Sequence, residues 1–143
     1  SVRTDDLLHF YTTVIRPVLE YACPVWHSSI TKEQSSNIES IQKRALRIIL
    51  HDHGSYTEQC NELNQQLLSD RREELCKTFF NSILNKNHCL NYLLPAARNT
   101  DVICKLRQFP AYLAPVARTV RYQNSFIPFG LSHYQKPAIT SFT

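Results

Sequence analysis

Residues 31–50, TKEQSSNIESIQKRALRIIL, carry the clearest helical pattern in the chain. Thr31 and Gln34 stand at capping-box spacing, so the Thr oxygen and the Gln side chain satisfy orphan backbone donors where the helix starts. At 100° per residue, Ile38, Ile41, Ala45, Ile48 and Ile49 share one arc, and that face is expected to be buried. Lys32, Lys43, Arg44, Arg47 and His51 fall on the other half. A helix buried on one side and cationic on the other suits packing into a core while facing a polyanion. The plainer reading is an ordinary i,i+4 pair between Glu39 and Lys43 on a solvated face.

The whole chain has 143 residues, enough for one domain with a real core but not comfortably two. Hydrophobic residues make up 43% and charged residues 20%, an ordinary globular balance that argues against disorder. Gly54 and Gly130 are the only glycines, which disfavours a hairpin-rich β protein and any glycine-rich phosphate loop. No run approaches eighteen apolar residues and no leader pattern opens the chain, so it reads as soluble and intracellular. The absence of methionine suggests either an initiator lost before Ser1 or, the preferred reading, a piece of something longer.

Charge is placed unevenly. Residues 91–143 carry six basic side chains (Arg98, Lys105, Arg107, Arg118, Arg121, Lys136) against Asp101 alone, whereas the rest of the chain is nearly balanced. A positive tail on a neutral body points to an anionic partner, and nucleic acid stands ahead of membrane because no basic amphipathic helix accompanies it.

In chain order, Thr4-Asp5-Asp6 opens a helix, with Thr4 as cap and two carboxylates suited to the dipole. Leu7, Phe10, Tyr11, Val14, Val18 and Tyr21 continue an apolar face, and Pro17 predicts a kink or short break. Trp26 is expected to anchor the core. Gly54 is expected to cap the second helix, and Thr57 to open a short helix reaching Leu63. A third long helix is predicted from about Ser69 to Asn85, with Leu75, Phe79, Ile83 and Leu84 inward and Arg71, Arg72, Lys77 and Lys86 outward. From Pro95 onward, prolines prevent long helices while aromatic residues argue against a disordered linker. The expectation is an extended arm, with one or two short strands, lying over the helices.

Candidate chemistry is sparse. Asp5-Asp6 invites comparison with metal-binding aspartate pairs, but it starts a helix rather than filling a rigid turn between strands. His51 and His53 with Cys60, or His88 and Cys89 with Cys76, lack the paired spacing of a zinc site. The odd, widely spaced Cys23, Cys60, Cys76, Cys89 and Cys104 read as reduced, mostly buried thiols. Arg118, Arg121, Tyr122 and Phe126 interleave cations with rings, a composition that suits a single-strand groove. The same two rings would equally suit core packing.

The stretches IRPVLEYACPVWH (15–27), ITKEQSSNIESIQKRALRIIL (30–50), RREELCKTFF (71–80) and RTVRYQNSFIPFGLSHYQ (118–135) resemble the region after the polymerase core in reverse transcriptases of non-LTR (LINE-like, Jockey-type) retrotransposons. That resemblance implies the C-terminal, thumb and post-thumb part of an RNA-directed DNA polymerase. The family's catalytic Tyr-Ala-Asp-Asp turn, with its Mg requirement, would lie upstream of this stretch. The chain itself would then make no bond and need no cofactor. The implied partners are RNA or an RNA/DNA template–primer and the remainder of the polymerase, with no membrane.

The chain is thus expected to be mainly α, a small bundle of three longer helices plus short ones. Residues 1–94 would form a helical thumb-like domain, and 95–143 a basic, aromatic extended arm. Lys43, Arg44, Arg47, Arg118, Arg121, Tyr122 and Phe126 are the candidate nucleic-acid contacts. The rival expectation is a non-enzymatic helical interaction module or transposon relic with only a structural role.

Overall fold

The computed structural model describes residues 2–51, 54–98 and 110–135, and these are mainly helical. In order they form α1 (Thr4–Phe10), α2 (Arg16–Glu20), α3 (Cys23–Trp26), α4 (Lys32–Leu50), α5 (Tyr56–Glu62), α6 (Leu68–Ile83), α7 (Val120–Gln123) and α8 (Phe126–His133). Among the described residues there is no named strand, only one antiparallel bridge between Ala97 and Tyr112.

Asp5 and Asp6 occupy the first turn of α1, as expected, although Arg3 rather than Thr4 holds the capping position. The bend expected at Pro17 takes the form of a π-helical turn, Tyr11–Ile15, joining α1 to α2. There the Arg16 N–H donates to the Tyr11 carbonyl, five residues back. Proline has no N–H for the ladder and its ring crowds the preceding turn, so a widened turn just ahead of it lets the helix continue.

The capping box of α4 is formed: the Gln34 amide donates to Thr31 Oγ1 at 3.1 Å and the Thr31 amide to Gln34 Oε1 at 2.9 Å. The other end differs from expectation. His51, not Gly54, takes the left-handed position that ends the helix, with φ 51° and ψ 29°. Likewise α5 is capped at Ser55 rather than Thr57, the Ser55 amide donating to Glu58 at 3.2 Å.

The buried face of α4 is rotated from the isoleucine arc. Gln42, Leu46 and Ile49 are buried, while Ile41 and Ile48 are 45% and 56% exposed. Gln42 tolerates burial because its hydrogen bonds are met: Tyr11 Oη donates to its Oε1 at 2.5 Å, and its Nε2 donates to Tyr56 Oη at 2.9 Å and to the Gln66 carbonyl at 2.8 Å.

Helix α6 also departs from expectation on its inward face. Leu68, Arg72, Cys76, Phe80 and Ile83 are buried, and Phe79 is partly exposed. Arg72, expected outward, is fully buried and donates from Nη2 to Ser35 Oγ at 2.9 Å. Arg71 pairs with Glu20, which also lies 3.9 Å from Arg16, and Arg16 reaches Gln65 at 2.9 Å.

The described residues divide into two compact units, one drawn from within 1–23 and 30–75, the other from within 24–29 and 76–143. The division expected between 94 and 95 falls elsewhere. In the first unit Tyr11, Leu46, Ile49 and Cys60 form the core, with Leu7, Leu8, Ile15 and Leu63 packed on it. In the second, Phe80, Ile83, Leu131 and Tyr134 are buried. The Phe80 ring lies 5.9 Å from both Phe126 and Tyr134. Trp26, expected to be a core anchor, is half-buried.

The expected extended arm is only partly so. Residues 110–118 are free of helix, but α7 and α8 follow. Pro128 does not prevent α8, because it is the third residue of that helix, where a backbone N–H has no intrahelical partner to lose. The irregular stretch is fastened by Gln135, which accepts from the Tyr112 amide and donates to the Tyr112 carbonyl, both at 3.1 Å.

Candidate nucleic-acid interface

Lys43, Arg44 and Arg47 project from the solvent side of α4, and all three are exposed. At 3.6 residues per turn they fall within an arc of about 100°. The carboxylate that the plainer reading assigns to Lys43 is engaged elsewhere. Glu39 accepts the Leu68 amide at 2.8 Å, the Ser69 amide at 2.9 Å and the Tyr56 hydroxyl. It therefore caps α6, favourably placed toward the positive end of that helix dipole. Lys43 Nζ instead lies over the Tyr56 ring, 5.9 Å from its centroid. Among the described residues, none of the three cations forms an ion pair.

Among the described residues this diversion leaves the positive strip without a paired carboxylate. From Ser40 to His51 the helix and its cap contain Lys43, Arg44 and Arg47 and no acidic residue. Such a surface attracts polyanions through counterion release and costs little desolvation, since the side chains stay in water.

The remaining candidates belong to the second unit. Arg118 and Arg121 are exposed, and Tyr122 is 48% exposed on α7. Thr119 caps that short helix, accepting from the Tyr122 amide at 3.2 Å. Phe126 is differently placed: it stacks on Phe79 at 5.8 Å between centroids, 30° from parallel, and meets Phe80 edge-on. The packing role fits Phe126, while Tyr122 retains a ring face open to solvent. Lys105, Arg107 and Lys136, part of the basic C-terminal excess, lie outside the described residues.

Among the described residues no three His, Cys, Asp or Glu side chains cluster as a metal site, and His53 lies outside them. Cys23, Cys60 and Cys76 are buried and Cys89 is exposed, and burial pushes the Cys60 thiol above its usual range. Cys104 is not among the described residues. Among those residues no helix is long and apolar enough to cross a membrane.

An apolar surface accompanies the cations on α4. Ile41 and Ile48, swung out of the core, line an apolar groove of about 330 Å³ with Leu7, Phe10, Ile15 and Arg44. Phe10, Val14 and Val18, expected on the inward face of the first helix, are 54%, 48% and 73% exposed alongside it. The signal was present in the width of the apolar arc: α4 has more large aliphatic residues than one buried stripe can hold.

No family model, no curated protein and no solved structure matches the chain.

Proposed function

We propose that the chain is the thumb and post-thumb part of an RNA-directed DNA polymerase of the non-LTR retrotransposon type, and that it grips RNA or a template–primer duplex. The resemblance in residues 15–27, 30–50, 71–80 and 118–135 supports the family. The observation that carries the binding role is the unpaired cationic face of α4, left open because Glu39 caps α6. In this reading Lys43, Arg44 and Arg47 hold phosphates, while Arg118, Arg121 and Tyr122 contribute charge and a stacking face. Bond formation, and the Mg ions it requires, belong to the polymerase core upstream.

The test is binding to a structured RNA as a function of salt. Replacing Lys43, Arg44 and Arg47 with Ala should weaken binding and reduce the slope of log K against log salt by about 2 to 3, since each neutralised phosphate contributes roughly 0.9. An unchanged slope removes this face from the interface.

A second reading, a helical interaction module or transposon relic without enzymatic context, is favoured by the exposed apolar groove beside Arg44.

A further inference from the structure

We infer that the groove between α1 and α4 is a docking site for an acidic amphipathic helix of a protein partner. The inference stands whether or not the cationic face binds RNA.

Three observations carry it. The floor and walls are apolar, formed by Leu7, Phe10, Ile15, Ile41 and Ile48, and Arg44 is the single charged side chain among them. Arg44 has no ion pair among the described residues, and the neighbouring stretch of α4 adds Arg47 and no acid. The exposed residues Phe10, Val14 and Val18 recur every four positions, which extends the apolar track along the helix beyond the groove.

These features select the occupant. An apolar trough between two helices accepts the ridge of a third, whose large side chains enter at i, i+3, i+4 and i+7. A positive rim favours Asp or Glu beside that ridge and repels Lys or Arg. RNA is a poorer match, since most of the lining is aliphatic and Arg44 is the one cation in it to meet a phosphate. A bilayer surface is better met by protruding apolar side chains than by a trough.

The experiment uses the full chain and a fluorescein-labelled helical peptide with Leu at i, i+3, i+4 and i+7 flanked by Glu, beside a twin carrying Lys in place of every Glu. Fluorescence anisotropy should show saturable binding of the Glu peptide, with the Lys twin weaker by about tenfold or more. Ile48→Ser and Phe10→Ser, both at exposed positions, should each weaken the Glu peptide by about tenfold while circular dichroism stays unchanged. Equal binding of the two peptides, no saturable binding, or binding indifferent to Ile48→Ser would each overturn the proposal. So would sedimentation showing a dimer that Ile48→Ser dissolves, which gives the groove to a second copy. Binding to phosphatidylglycerol vesicles that Ile48→Ser abolishes, with no peptide binding, gives it to a membrane and likewise overturns the proposal. The RNA salt slope, measured on the same variants, reads the α4 cations separately, since Ile48 takes no part in that face.

Discussion

Glu39, in the middle of α4, is the N-terminal cap of the helix that begins at Leu68, its carboxylate accepting the Leu68 and Ser69 amides at 2.8 and 2.9 Å. The same oxygen that takes the Leu68 amide accepts the Tyr56 hydroxyl, which in turn accepts from Gln42. One side chain thus ties α4, α5 and α6 together, and it does so by abandoning the local pair with Lys43.

Glu39→Ala should therefore cost more than a surface substitution. Hydrogen bonds to a charged group contribute about 1.5–3 kcal/mol, and the orphaned amides lie beside the buried side chain of Leu68. We expect a loss of about 2–3 kcal/mol in urea unfolding, with Glu39→Gln recovering part of it because one acceptor oxygen remains. A loss below about 0.5 kcal/mol, the range of an exposed i,i+4 pair, would return Glu39 to the solvated face.

The same network predicts an alkaline limit. Burial raises the Tyr11 phenol well above the ordinary tyrosine value of about 10, and burial followed by the hydrogen bond to Glu39 does the same for Tyr56. In the unfolded chain both phenols lose their protons above about pH 10, while in the fold they keep them. The unfolded state then binds fewer protons, so the stability these groups contribute is complete below about pH 10 and declines above it. Each tyrosine adds up to about 1.4 kcal/mol per pH unit to that decline. Urea unfolding at rising alkaline pH should show the loss, and Tyr11→Phe should make it shallower. An identical pH profile in Tyr11→Phe would remove Tyr11 from the titrating set.

Gly130 is required for contact rather than for backbone freedom. A Cβ built there would lie 2.2 Å from Phe80 Cδ2, and Phe80 is fully buried, which leaves its ring little room to retreat. Gly130→Ala should destabilise the protein by about 1–3 kcal/mol despite the better helix propensity of Ala. Phe80→Leu alone should also destabilise, but combined with Gly130→Ala the two losses should be less than additive. Simple additivity in thermal unfolding would show that the two residues do not press on one another.

What could be read from the chain alone was whatever its neighbours in sequence decide. The Thr31 capping box, the acidic first turn of α1 and the mainly helical character all depend on residues a few positions apart. The orientation of α4 about its axis did not. Counting isoleucines placed Ile41 and Ile48 inward, whereas the buried centre includes Gln42, whose partners Tyr11, Tyr56 and Gln66 are remote in sequence. The burial of Arg72 is hidden from the sequence for the same reason, its Ser35 partner lying in a different helix. The corners misled as well, since Ala22, His51 and Asn64 adopt positive φ and no described glycine does. In the candidate interface, the cations of α4 are legible from charge and composition, whereas the exposure of Tyr122 is not. Nor is the commitment of Phe126 to Phe79 and Phe80, because a ring in a Pro-rich stretch looks alike whether it packs or projects.

Arg47 separates binding from stability most cleanly. It is exposed and unpaired among the described residues, and it stands four positions from Lys43 and three from Arg44, where like charges on a helix repel by a few tenths of a kcal/mol. Ala is at least as good a helix former as Arg, so Arg47→Ala should leave stability unchanged or raise it by up to about 0.5 kcal/mol. The same substitution should remove about 0.9 from the salt slope of RNA binding, as loss of one phosphate contact requires. Lys43→Ala serves as the companion, because it also forfeits the Tyr56 ring contact and should cost about 0.5–1 kcal/mol of stability. A destabilised Arg47→Ala whose RNA slope is intact would mean that this arginine holds the fold rather than a phosphate, and the binding face would then have to be sought away from α4.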